Sequence, residues 1–166
     1  MNRRKFLAHS AKAAAAVAAV SQPRRARAAS PGSNEIINVG LIGQGGMGSG
    51  HLRALLGMEK QMEGVRPVAV CDVYKNRLDA AVAATEGKAK AYKDYRKLLE
   101  DKDVDVVLIA TPHHWHAQMT IDAADAQKDV YCEKPMTHWE DLEATRKVVE
   151  AIARNKRVMQ VGTNGI

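Results

Sequence analysis

Ile36-Ile37-Asn38-Val39-Gly40-Leu41-Ile42-Gly43-Gln44-Gly45-Gly46-Met47-Gly48 is the stretch that decides the fold of this chain. A short apolar run leads into glycines spaced Gly-x-Gly-x-x-Gly, and residues at helical spacing follow from Met47 to about Lys60. A strand, a glycine loop and a helix in that order open a dinucleotide-binding Rossmann unit. Gly43 permits the tight turn, Gly45 lets the backbone approach a pyrophosphate, and Gly48 lets helix and strand pack closely. Gln44, Gly46 and Met47 complete the loop, and the free N–H groups at the helix start attract phosphate. The alternative, a merely flexible glycine loop, does not explain the strand before it or the helix after it.

Working outward, strand and helix patterns alternate. Pro67–Cys71 reads as a second strand ending in Asp72, Lys75–Glu86 as a helix, Lys88–Tyr92 as a short strand, and Tyr95–Glu100 as a helical turn or two. Val104–Ala110 is a fourth strand running into Thr111-Pro112, His116–Ala126 a helix, and Asp129–Cys132 a fifth strand. Asp141–Asn155 is an amphipathic helix with Leu142, Val148, Val149 and Ile152 on one side, and Arg157–Val161 is a sixth strand. Such alternation predicts an α/β fold, a doubly wound parallel sheet with right-handed crossovers. With 166 residues there is room for one domain with a real core. A single Phe among 46% hydrophobic residues makes that core aliphatic, as suits strands buried on both faces.

Three further features carry chemistry. Asp72 lies 24 residues beyond Gly48, near the spacing of the acid that binds an adenosine ribose. A carboxylate there accepts from both ribose hydroxyls and repels a 2′-phosphate, which favours NAD. Lys75, Asn76 and Arg77 just beyond would shelter a phosphate, so NADP stays open, and Asp72 would also serve as a helix cap. Thr111-Pro112-His113-His114-Trp115-His116 ends the fourth strand, beside the switch in strand order where ligands bind. Its histidines read as loop residues near the nicotinamide rather than metal ligands, having no carboxylate or thiolate support. Glu133-Lys134-Pro135 ends the fifth strand. Lys134 there serves as a proton donor or acceptor if burial or a cofactor lowers its pKa, with Glu133 orienting it or contacting the nicotinamide ribose. A surface ion pair before a proline turn is equally compatible with the spacing.

Cys71 and Cys132 end the second and fifth strands, three positions apart in such a sheet. At roughly 14 Å they are too distant for a disulfide and read as buried free thiols. The net charge of +6 belongs to the N-terminus. Residues 1–29 hold seven bases and no acid, and removing those seven from 25 leaves 18 bases against 19 acids. No nucleic-acid partner is expected of a near-neutral domain without interleaved bases and aromatics. Arg3-Arg4-Lys5-Phe6-Leu7, an apolar run Ala8–Val20 too short to span a bilayer, and Ala26-Arg27-Ala28-Ala29 read as a signal peptide over 1–29. Its arginine pair resembles a twin-arginine signal, which implies export of a folded protein to the periplasm or another extracytoplasmic space. Residues 30–35, with Pro31-Gly32-Ser33-Asn34, read as a linker and 36–163 as the domain.

Together, Gly43–Gly48, Cys71-Asp72, Ala110–His116 and above all Asp129–Pro135, followed by a helix and Gln160-Val161-Gly162-Thr163, resemble the glucose–fructose oxidoreductase, inositol dehydrogenase and MocA (Gfo/Idh/MocA) family. The resemblance implies a nicotinamide cofactor, Lys134 in proton transfer at a sugar or polyol hydroxyl, and Thr111, Pro112 and His116 lining the cofactor. It also implies a second α/β domain carrying most substrate contacts. These 166 residues end where the connection to that domain would begin, so the substrate domain is expected to be absent. The expectation is a truncated, incomplete catalyst or a non-catalytic exported dinucleotide-binding module. An exposed sheet face would then invite a protein partner or oligomer.

Overall fold

Strands that are apolar on both faces need helices on both sides. The structure, a computed structural model, describes residues 36–61 and 63–163. The signal peptide expected over 1–29 and the linker over 30–35 lie outside the described residues. Six strands form one parallel sheet: β1 (Ile37–Ile42), β2 (Val65–Cys71), β3 (Lys90–Tyr92), β4 (Val106–Ile109), β5 (Asp129–Cys132) and β6 (Met159–Val161). Helices α1 (Gly46–Lys60), α2 (Lys75–Ala84), α3 (Tyr95–Leu99), α4 (His116–Asp125) and α5 (Leu142–Asn155) fill the crossovers, and a 3-10 turn at His113–Trp115 precedes α4. The sheet order is β3-β2-β1-β4-β5-β6. This is the doubly wound arrangement expected, with its change of direction between β1 and β4.

The period-two alternation of each strand divides the core. Val39 and Leu41 of β1 join Leu52 of α1 and Leu78 and Ala81 of α2 on one face. Ile42 joins Leu98 and Leu99 of α3 and Met119 and Ala123 of α4 on the other. β4 repeats the pattern, with Leu108 turned one way and Val107 and Ile109 the other. Leu41, Ile42, Leu52, Leu98 and Ile109 are almost completely buried, and each such side chain contributes about 1.5–3 kcal/mol.

Element bounds depart from the sequence reading by no more than two residues. β2 starts earlier, at Val65, because Val65 and Arg66 pair with Ile37 and Asn38 ahead of an irregularity in register between Val39 and Gly40. Pro67, which has no N–H to give a ladder, sits at that irregularity. β4 starts later, since the carbonyl of Val104 accepts from Lys128 Nζ at 2.7 Å. The single apolar side expected of α5 is a correction. Val148 and Ala151 are buried and Ile152 packs on the core, whereas Leu142 and Val149, seven residues apart, form a second, exposed stripe. Cys71 and Cys132 are buried and free, as expected.

Candidate functional site

The carboxyl ends of β1, β2 and β4 open onto a crevice of about 820 Å³ at the switch in strand order. Its floor is the turn from β1 into α1. Gly43 turns with φ +91, a left-handed conformation that a side chain resists, and a Cβ there would lie 2.7 Å from the Ala110 carbonyl oxygen. A Cβ on Gly48 would lie 1.8 Å from the Gly43 carbonyl oxygen, so this glycine lets α1 close on the turn. Gly45 and Gly46 differ: the nearest atom to an added Cβ at Gly45 is Arg77 Nη1 at 3.8 Å, and none lies within 4 Å at Gly46. Packing does not require these two glycines, which leave the floor of the crevice open. No side chain caps α1. Its first-turn N–H groups therefore remain available to an anion.

Asp72 lines the crevice beside the floor. Its Oδ2 accepts the backbone N–H of Gln44 at 2.7 Å and its Oδ1 that of Tyr74 at 2.8 Å. Each oxygen keeps a further lone pair for a hydroxyl donor. The capping alternative does not hold, because Tyr74 occupies the cap position of α2 without a capping side chain. Arg77, Lys93 and Arg96 supply cationic groups to the same wall. Arg77 lies over the Tyr74 ring at 5.7 Å, and Arg96 over Tyr95 at 4.6 Å. The Lys93–Arg96 segment had no signal in its local sequence. It reaches the site because β3 lies beside β2. Asp72 and Asp94 add to burial in pushing the Cys71 thiol, also on this wall, up to about 12.

On the opposite wall stand Thr111, Pro112, Trp115 and Met119, with Thr111 Oγ1 3.6 Å from the sulfur of Met119. His116 does not line the crevice and corrects the expectation for it. Its ring is 1% exposed, with Nδ1 2.7 Å from the Pro135 carbonyl oxygen and Nε2 2.8 Å from that of Thr111. It clamps the loop after β4 to the loop after β5. His113 and His114 are exposed, and among the described residues no group of three or more His, Cys, Asp or Glu is placed to hold a metal. Gln44 is buried, with neither side-chain amide atom hydrogen-bonded to protein.

The Glu133-Lys134-Pro135 segment lies outside the crevice wall. Glu133 is buried, with Oε1 2.7 Å from His51 Nε2 and Oε2 accepting the Lys134 backbone N–H at 3.2 Å. The His51 ring meets Tyr131 edge-on, and a Cβ on Gly162 would collide with both Tyr131 and Glu133. His51, a residue of α1, was not legible as a partner of Glu133 because 82 residues separate them. Lys134 is exposed. A second cavity, of about 610 Å³, is lined by Leu56, Pro67, Arg66, Glu59, Lys88 and Glu86 among others. Four of its charges pair, Arg66 with Glu59 and Lys88 with Glu86.

An open glycine floor at a helix start, a carboxylate at the end of β2 and a crevice at the switch point define a dinucleotide-binding Rossmann domain. The residues fit that ligand, since Gly45 and Gly46, which packing does not require, both line the crevice. A family model described as oxidoreductase family, NAD-binding Rossmann fold, matches residues 37–163, and the chain belongs to that Gfo/Idh/MocA family. It is 39% identical over 127 residues to inositol 2-dehydrogenase of Salmonella paratyphi B, covering 76% of this chain and 36% of the relative. Among solved structures it resembles an NAD-binding oxidoreductase from Klebsiella pneumoniae, with TM-score 0.66 and 33% identity over 76% of this chain and 34% of that one. It also resembles the WlbA dehydrogenase of Bordetella pertussis in complex with NADH and UDP-GlcNAcA, with TM-score 0.68 and 28% identity over 77% of this chain and 37% of that one. The chain thus spans about a third of the length of the relatives it matches.

Proposed function

We propose that the crevice holds NAD with its pyrophosphate over Gly43–Gly48 and its adenosine ribose on Asp72. Lys134 would then serve a sugar or polyol hydroxyl as proton donor or acceptor once further protein completes the substrate side. The single observation that carries the reading is Asp72, fixed by two backbone N–H groups at the edge of an otherwise open glycine floor. When bound, the nicotinamide supplies hydride transfer at its C4. Thr111, Pro112 and Trp115 shape the other wall, Glu133 orients the backbone of Lys134, and His116 holds the two loops together. Arg77, Lys93 and Arg96 keep NADP within reach as a second cofactor. Lys134 alone, exposed and without a surrounding shell, does not position a substrate. The 166 residues by themselves are proposed to bind the cofactor with little or no turnover, and a partner chain or further segment of the protein to complete the site. Calorimetric titration with NADH and NADPH tests the binding; no heat with either overturns it. NAD reduction by a sugar or polyol, measured with and without an added downstream segment, tests the catalytic half.

Export is the second part of the proposal. Arg3-Arg4, Phe6-Leu7, the weakly apolar run to Val20 and the small residues up to Ala29 support a twin-arginine leader over 1–29, with the domain over 36–163 following the linker. That route carries folded proteins and suits one that acquires its cofactor beforehand. A fusion of residues 1–35 to a reporter should be exported, and replacing both Arg3 and Arg4 by Lys should abolish export. Export unaffected by the double replacement rules out the twin-arginine reading.

A further inference from the structure

Glu133 is 6% exposed, and a carboxylate buried that far needs hydrogen-bond donors. Among the described residues two donors meet it. Its Oε2 accepts the Lys134 backbone N–H at 3.2 Å, and its Oε1 lies 2.7 Å from His51 Nε2. A carboxylate only accepts, so Nε2 carries the proton of the shorter contact. Among the described residues His51 is also the one ion-pair partner of Glu133. The backbone of Glu133 is pinned as well, its N–H donating to the Ile109 carbonyl at 2.9 Å. Tyr131 and Gly162 close the seat from the sides. The His51 ring meets Tyr131 edge-on at 5.5 Å, and a Cβ on Gly162 would lie 3.0 Å from Glu133 Oε1. The carboxylate therefore has one place to sit, and the imidazole N–H holds it there.

His51 belongs to α1, the helix whose start at Gly46 is the proposed pyrophosphate seat. Glu133 and Lys134 follow β5, which is separated from β1 by β4. One side chain thus spans from the helix that carries the cofactor to the residue proposed to move a proton. His51 does not line the crevice, and its Nε2 is engaged by Glu133, so it does not act on a ligand directly. Space filling alone does not call for this pair, because apolar side chains of the same volume fill a buried site as well as an ion pair does or better. We infer that His51 is a positioning residue that ties the Lys134 backbone to α1 through Glu133. Cofactor binding at the start of α1 and order at Lys134 then favour each other, and the effect is reciprocal. The coupling rests on the proposed cofactor reading, whereas the positioning of Lys134 rests on the geometry alone.

The test uses the 166-residue chain, labelled with nitrogen-15, and follows exchange of the Lys134 amide proton with solvent in the presence and absence of NADH. The parent is compared with His51→Leu, which removes the donor, and with His51→Gln, whose amide nitrogen reaches about as far as Nε2. In the free chain His51→Leu should speed exchange at Lys134 by about tenfold or more, because a hydrogen bond to a buried charge is lost. The amides of Leu41 and Ile42 in β1 should keep their protection. NADH should slow the Lys134 amide in the parent by about threefold or more and leave it unaltered in His51→Leu, whose NADH affinity should fall by the same factor. His51→Gln should restore most of each effect. The imidazole N–H proton of His51 should resonate downfield in the parent and move upfield in Glu133→Gln, which keeps the shape and removes the charge. Lys134 exchange unchanged in His51→Leu, or changed equally in His51→Leu and His51→Gln, overturns the inference. An imidazole signal unmoved by Glu133→Gln does so too, and is measurable even where His51→Leu does not fold. Equal protection of Lys134 by NADH in the parent and His51→Leu overturns the coupling. Failure of the parent to bind NADH sinks the cofactor reading, and the free-chain exchange and the imidazole signal then still decide the positioning.

Discussion

The carboxylate of Asp72 accepts the backbone N–H of Gln44 at 2.7 Å, so the end of β2 holds the glycine loop that follows β1. The residue proposed to bind ribose therefore also shapes the seat for the pyrophosphate. Asp72→Ala removes the acceptor for both the Gln44 and Tyr74 N–H groups, and a buried donor left without a partner costs about 1–3 kcal/mol. Urea unfolding should show a loss in that range. NADH affinity should fall by about tenfold or more, and NADPH should gain relative to NADH, because the charge that repels a 2′-phosphate is gone and Arg77 remains. An Asp72→Ala protein as stable as its parent, with an unchanged ratio of the two affinities, contradicts both roles.

Two glycines of the same loop should respond in opposite ways. A Cβ on Gly48 meets the Gly43 carbonyl oxygen at 1.8 Å, and neither backbone moves without opening the turn. Gly48→Ala should cost about 3 kcal/mol or more in urea unfolding and lower NADH affinity. Gly46→Ala, with no atom within 4 Å of the new methyl and a place in the first turn of α1, should be neutral or stabilising by up to about 1 kcal/mol. Its NADH affinity should still fall, because the methyl occupies ligand space. Equal stability losses in the two variants would show that the helix slides to accommodate Gly48→Ala.

The difference between those glycines shows what was readable in the sequence. Gly43–Gly48, Asp72 and the six strands were legible because their signals are local: a glycine spacing, an acid at a strand end, runs of Val, Ile and Leu. His116 was not. It reads as a residue lining the cofactor, and its burial between two carbonyls, at Thr111 and at Pro135, arises only where the folded chain brings those together. The His51–Glu133 pair and the Lys93–Arg96 wall were hidden for the same reason, since strand order creates them and neighbouring residues do not. Leu142 and Val149 misled because an apolar residue at helical spacing does not reveal which of two stripes faces the core.

His116 makes that lesson measurable. His116→Ala leaves a cavity and removes the ring held between the Thr111 and Pro135 carbonyls, and should cost about 2–4 kcal/mol. The loops after β4 and β5 should loosen together, giving faster amide exchange at 111–116 and at 133–137 while β1 and β2 keep their protection. Uniformly faster exchange would mean that the clamp supports the whole domain. No change in either loop would mean that it supports nothing.

The buried thiols set an alkaline limit on stability. Burial, with help from Asp72 and Asp94, pushes Cys71 from 9.0 up to about 12, and burial, with help from Glu133, pushes Cys132 up to about 11. Both folded values exceed the unfolded one, so their contribution is fully present below pH 9 and is lost as pH rises toward 11–12, where the unfolded chain has already released its thiol protons. The urea midpoint should fall progressively above pH 9. Tyr95, also pushed up to about 12 by burial and by Asp122, adds a loss of the same sign above its ordinary 10.0. The thiols are isolated by comparing the parent with a Cys71→Ala, Cys132→Ala double variant. That variant should start less stable, because two buried side chains are shortened, yet decline less steeply above pH 9. Neither thiol of the folded parent should react with iodoacetamide at pH 8 until denaturant is added. Identical alkaline slopes in the two proteins, or rapid labelling without denaturant, would show that one or both thiols reach solvent in the native state.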